Sequence, residues 1–212
     1  MMTVTKDATT FVHRWLPSGE AKTRTLLLLH GTGGNEEDLI PLGRSLDPKA
    51  NLLAPRGKVL EQGMPRFFRR ERDGTFDQED LKRRTDELAA FLSDAAKQYG
   101  FDKKRVLAVG FSNGANIASS LMLRKPNALA GAVLFRGMVP FEPAKMPELA
   151  GKPVLMRAGR SDPIVPRANS EKLAKILTDC GATVTLEWHA GGHSLAQADV
   201  TAAQGWLGKS GL

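Results

Sequence analysis

With 212 residues, 42% of them hydrophobic and 25% charged, the chain has ample material for a core, and no shift in composition marks a boundary, so residues 1–212 read as one domain. Apolar runs such as residues 26–29 are far too short to span a bilayer, and residues 1–7 carry no apolar signal core, which together predict a cytoplasmic protein with no membrane partner. The net charge of +7 raises nucleic acid as a partner, but acids such as Glu71, Asp73 and Asp102 lie within or beside the basic clusters at 66–72 and 103–105, and no nucleic-acid motif accompanies them; a solvated basic surface and no nucleic acid are expected.

In chain order, residues 11–16 have strand-like spacing and end at Pro17-Ser18-Gly19, a turn, so His13 reads as a strand-face residue without a catalytic role. Residues 25–29 are apolar without alternation, as in a parallel strand covered on both faces. His30-Gly31-Thr32-Gly33-Gly34-Asn35 follows at once. Three glycines in six residues let backbone amides approach a ligand; the phosphate-loop patterns are absent, so the Thr32 N–H is assigned as an oxyanion donor, with a plain flexible turn as the alternative. Residues 36–46 predict a short helix and 51–54 a buried strand. Residues 55–76 lack a regular period, and their aromatic and guanidinium groups, Phe67 and Phe68 among them, are read as a wall beside substrate, with disorder as the alternative.

Asp77 is placed to cap a helix whose apolar stripe runs from Leu81 to Tyr99, and Gly100 to stop it. Residues 105–109 then read as a strand and 115–123 as a helix, with Gly110-Phe111-Ser112-Asn113-Gly114 between them. Strand, G-x-S-x-G, helix is the setting of a nucleophile elbow: the serine sits on a strained turn, and the Asn113 N–H at the helix start is free to meet an oxyanion. Residues 130–135 form a strand leading to Arg136 and Met138, both expected at the serine's end of the sheet; Met138 is placed near the pocket. A strand at 153–158 ends in Gly159-Arg160-Ser161-Asp162-Pro163-Ile164-Val165-Pro166, and a helix at 169–178, a strand at 183–188 and a terminal helix complete the chain. Alternating strands and helices predict an α/β fold with a mostly parallel sheet and helices on both faces. Cys180 is the one cysteine, so no intrachain disulfide forms, and no ligand spacing suggests a metal or other cofactor.

Loops at the carboxyl ends of parallel strands gather in one crevice, which brings Ser112, Asp162 and the loop at 189–193 together. A serine hydroxyl needs an imidazole to take its proton, and the imidazole needs a carboxylate to fix its tautomer. His193, beyond Gly191-Gly192, is preferred over His189, which is tied to the strand. Asp162 is preferred over Glu187 and Asp199, which lie inside regular elements. His30 is read as a buttress of the glycine loop.

His30-Gly31-Thr32-Gly33, Gly110-Phe111-Ser112-Asn113-Gly114, Ser161-Asp162-Pro163-Ile164-Val165-Pro166 and Gly192-His193, in that order, resemble the small bacterial carboxylesterases related to acyl-protein thioesterases, in the phospholipase/carboxylesterase branch that includes hydroquinone-inducible hydrolases. The resemblance implies an α/β-hydrolase fold without a large cap domain. It also implies Ser112, Asp162 and His193 as catalytic residues, Thr32 and Asn113 as the oxyanion hole, a small ester as substrate and a homodimer. Ile164 and Val165, next to the acid, complete a substrate-binding set with Phe67, Phe68 and Met138. Thr32 stands where the thioesterases usually carry leucine and Asn113 where they usually carry glutamine, so the acyl pocket is expected to differ in shape. Acyl-thioester or lysophospholipid cleavage and a non-catalytic ligand-binding module are the alternatives.

Overall fold

The structure, a computed structural model, describes residues 11–20 and 23–209; the expectation built on residues 1–7 lies outside them. The chain runs through β1 (His13–Leu16), β2 (Thr25–Leu29), α1 (Ile40–Leu46), β3 (Asn51–Pro55) and a hairpin of β4 (Val59–Glu61) and β5 (Met64–Arg66). It continues with α2 (Gln78–Tyr99), a 3₁₀ turn, β6 (Val106–Phe111), α3 (Asn113–Arg124) and β7 (Gly131–Phe135). Last come β8 (Pro153–Gly159), α4 (Arg167–Asp179), β9 (Thr183–His189) and α5 (Gln197–Lys209).

Among the described residues one seven-stranded sheet, in the order β1-β3-β2-β6-β7-β8-β9, carries all strands except the hairpin; β1 is antiparallel to β3 and every other pair in it is parallel. The unbroken apolar runs take the middle of it because both faces are covered. Leu27, Leu29, Ala108, Ala132 and Leu134 pack in the same cluster as Leu88 and Leu92 of α2, Ile117 and Leu121 of α3 and Leu173 of α4. The alternate residues Leu26, Leu28, Leu107, Val109 and Val133 pack with Leu46 of α1 and Ala203 and Leu207 of α5. After β2 the chain places β3 on one side and later β6 on the other. The crevice where strand order reverses therefore opens at the carboxyl ends of β2 and β6, between the glycine loop and Ser112.

Helix ends follow their caps: the Asp77 carboxylate accepts from the Asp80 N–H at the start of α2, and Gly100 closes it in the left-handed region at φ 73°. Two stretches differ from expectation. Helix α1 starts at Ile40, not 36, because Glu36 and Asp38 are committed to holding the glycine loop: Glu36 pairs with Arg56, and Asp38 accepts from the Asn35 N–H. Residues 55–76 are ordered by the β4–β5 hairpin, which turns through Gln62 and Gly63, both at positive φ, and by a bridge between Arg70 and Phe76. Strands of three residues, one holding Pro65, are too short to show a period. Among the described residues no helix is long and apolar enough to cross a membrane.

Candidate active site

Ser112 sits at φ 52°, ψ −114°, a conformation L-residues rarely adopt, between the end of β6 and the first turn of α3. Close packing holds it there. A Cβ on Gly114 would lie 1.9 Å from the Leu29 carbonyl oxygen, and one on Gly110 2.6 Å from that of Gly114. The glycines thus let α3 start directly against β2 and β6. The Ser112 N–H donates to the Phe135 carbonyl at 2.9 Å, which leaves the hydroxyl as the group that projects from the turn.

That hydroxyl lies 2.9 Å from His193 Nε2, and His193 Nδ1 lies 2.8 Å from Asp162 Oδ2. Burial works against the Asp162 carboxylate, but the N–H groups of Val165 and Ile164, donating to Oδ1, and the His193 ring outweigh it and hold the pKa below the ordinary value. An ionised Asp162 accepts from Nδ1–H, so Nε2 carries the lone pair that faces the serine. The acid and imidazole loops are pressed together: a Cβ on Gly159 would meet the Gly192 carbonyl at 2.4 Å, and the Arg160 N–H donates to the His189 carbonyl at 2.8 Å. His189 instead closes its own turn, its Nδ1 accepting from the Gly191 N–H.

Across the crevice, the Thr32 N–H donates to no group among the described residues, and the Asn113 N–H, first in α3, has no intrahelical acceptor. His30 braces this loop from beneath. Its Nε2 accepts from the Gly57 N–H at 2.9 Å, so its Nδ1 donates to the Gly31 carbonyl at 2.7 Å; burial pushes its pKa down and keeps the ring neutral. The hairpin ties in on both sides, since the Gly33 N–H donates to the Pro65 carbonyl and the Phe67 N–H to Asn113 Oδ1. Between these parts opens a cavity of ≈ 390 Å³ lined by Thr32, Arg66, Arg70, Phe76, Phe111, Ser112, Asn113, Asn116, Met138, Ile164 and His193.

A family profile described as Phospholipase/Carboxylesterase matches residues 16–210. The chain belongs to the phospholipase/carboxylesterase family. It is 50% identical over 181 residues to MhqD of Bacillus subtilis (strain 168), a protein provisionally described as a hydrolase, covering 85% of this chain and 90% of that one. The crystal structure of a Bacillus cereus carboxylesterase superposes with a TM-score of 0.90 at 49% identity, covering 92% of both chains. A structure of YahD with malic acid gives 0.88 at 32% identity, over 92% of this chain and 97% of that one. Membership assigns the chain to the carboxylic ester hydrolases, with an α/β-hydrolase fold and no large cap.

In this member of the phospholipase/carboxylesterase family, Ser112, His193, Asp162, Thr32 and Asn113 converge on one crevice, and Met138 and Ile164 line it. Three expected substrate contacts are absent from the lining. Phe67 packs on His30 at 4.8 Å between ring centroids, Phe68 is wholly buried against Phe76 at 5.0 Å, and Val165 is buried behind the acid. Their apolar rings and side chain go to the core; Phe76, Arg66 and Arg70 take the wall instead. Nor is Arg66 part of a solvated surface, being 3% exposed.

Arg136 lies at the serine's end of the sheet as expected, but its pairing with Asp199 is a part of the site that sequence reasoning left out. Both side chains are fully buried, paired bidentately at 2.6 and 3.1 Å, with Arg157 also on Asp199 at 3.2 Å. From this anchor Arg136 donates through Nε to the Gly192 carbonyl at 2.9 Å and through Nη2 to that of Ser194 at 3.0 Å. Those two carbonyls flank His193. The signal available in the sequence was an arginine directly after a central strand, with no element to solvate it.

Proposed function

We propose that the chain cleaves small carboxylic esters through an acyl-enzyme, with Ser112 as nucleophile, His193 as general base and then acid, and Asp162 as its orienting carboxylate. The observation that carries this reading is the continuous line from Ser112 Oγ to His193 Nε2 at 2.9 Å and from His193 Nδ1 to Asp162 at 2.8 Å. As Oγ attacks the ester carbonyl, its proton moves to Nε2, and the carbonyl oxygen becomes an oxyanion held by the Thr32 and Asn113 N–H groups. The ionised Asp162 stabilises the imidazolium without taking its proton. Collapse of the tetrahedral intermediate breaks the ester C–O bond, and Nε2–H protonates the departing alcohol. Water then enters, gives its proton to Nε2 and attacks the acyl carbon, and the acid leaves as Oγ regains a proton.

A cavity of ≈ 390 Å³ supports short substrates over long acyl chains. Malic acid on YahD, a small hydroxy-dicarboxylic acid, points the same way. A homodimer, from the family resemblance, and a cytoplasmic setting and one folding domain, from the sequence, are carried into the reading, and sedimentation velocity tests the first. Ser112→Ala should lower kcat on a short aryl ester by roughly a millionfold, by analogy with serine proteases. A fluorophosphonate should label the native chain at Ser112 alone; turnover retained in the alanine variant would reject the nucleophile.

A further inference from the structure

We propose that the cavity selects esters bearing a second, anionic group, a carboxylate, and that Arg66 and Arg70 bind it. The inference rests on the reading of Ser112 as nucleophile and adds a substrate class to it. Arg66 ends β5 with its side chain 3% exposed, its Nη1 2.8 Å from Glu61 Oε2 and its Nε donating to the Phe68 carbonyl at 3.2 Å. Arg70, further round the same wall, donates from Nε to Glu61 Oε1 at 3.3 Å. One carboxylate therefore serves two guanidiniums and leaves one positive charge over, beside the crevice that holds Ser112 and His193.

Donors are left over as well. Nη2 of Arg66 and both terminal nitrogens of Arg70 make no hydrogen bond among the described residues. A guanidinium that is nearly out of solvent and shares its counter-ion is costly to keep charged, and burial together with the charge of Arg70 pulls the Arg66 pKa down. Holding the hairpin together accounts for Nε and Nη1 of Arg66 but not for the second arginine. Asp73, which lines the adjoining depression, accepts from the Thr75 N–H and hydroxyl, at 2.9 and 2.7 Å. Arginine pairs of this kind suit the planar, two-oxygen geometry of a carboxylate. Phe76 and Met138 supply the apolar wall for the carbons between that carboxylate and the scissile ester.

The test compares kcat/KM within two matched pairs, diethyl against monoethyl succinate and phenyl acetate against 3-acetoxybenzoate, so that the charge lies on the acyl side in one and the alcohol side in the other. The charged member should be preferred in at least one pair, the preference should weaken as KCl is raised, and Arg70→Gln should cut the charged-to-neutral ratio about tenfold, as for loss of a charge-assisted hydrogen bond. Succinate should inhibit competitively and lose potency in the same variant. Arg66→Gln should act alike if it folds; Arg70, on the rim, serves as the variant that decides. Preference for the neutral ester in both pairs, or a ratio that Arg70→Gln leaves alone, overturns the proposal. Fluorophosphonate labelling separates the failures: a labelled Ser112 without charge preference sinks only the anion subsite, whereas an unlabelled serine removes the nucleophile beneath it.

Discussion

Two glycines of the same chain make opposite demands on a methyl group. A Cβ on Gly114 would lie 1.9 Å from the Leu29 carbonyl oxygen, so a side chain there must push α3 off β2 at the point where Ser112 is held. Gly114→Ala should cost more than about 4 kcal/mol or abolish folding, read as soluble yield and melting temperature. Gly205 lies on the exposed side of α5 with open space around its Cα. Gly205→Ala should stabilise the fold by about 0.5–1 kcal/mol, because alanine gives up less backbone freedom when the helix forms. A chemical denaturation curve for each variant checks both signs.

Elements act on the site through backbone, and the buried arginine shows how. Arg136, at the end of β7, holds the carbonyls on either side of His193 while Asp199 of α5 holds Arg136. Arg136→Lys keeps the charge beside Asp199 but cannot reach both carbonyls and the carboxylate at once. We expect kcat to fall about tenfold with KM little changed, since the group that drifts, His193, is the one proposed for proton transfer. Steady-state kinetics well below the variant's melting temperature provide the check; a fall in stability alone, with kcat intact, would show the arginine to be purely structural. The sequence was legible where a residue sits one to four positions beyond a strand, since topology alone then brings Ser112, Thr32, Asp162 and His193 to one crevice. It was illegible where a partner lies inside a regular element. Arg136 and Asp199 lie 63 positions apart, and an aspartate inside a helix gives no local sign that it serves a strand end. The aromatic pair Phe67-Phe68 misled for a related reason: other residues of the same stretch line the cavity, and which side chains face in depends on a hairpin register that strands of three residues cannot announce.

Across the whole molecule, buried carboxylates tie stability to acidity. Asp199 is opposed by burial yet held below its ordinary pKa by Arg136, the Ala196 N–H and Arg157; Asp162 and Asp80 are lowered too. A carboxyl whose folded pKa is depressed contributes fully above its unfolded value, about 3.9, and loses that contribution as pH falls through the folded value. The melting temperature should therefore change little between pH 7 and about 5 and drop steeply below about 4. Asp199→Asn should be less stable at pH 7 by about 3–5 kcal/mol, because two arginines lose their counter-ion, and should show a shallower decline in acid. Calorimetry across that range tests both, and a single transition is expected if residues 1–212 form one folding unit.

The Gly33-to-Pro65 and Phe67-to-Asn113 hydrogen bonds carry a consequence for anyone wishing to redesign this protein. The β4–β5 ribbon is bolted to the turn bearing Thr32 and, through Phe67 just beyond β5, to the residue after Ser112, so it is no interchangeable module. Transplanting another ribbon to alter what the enzyme accepts would also shift the Thr32 and Asn113 amides, the proposed oxyanion donors. Only its outer bend, at Gln62 and Gly63, hangs clear of those bolts, and lengthening should be tolerated there first.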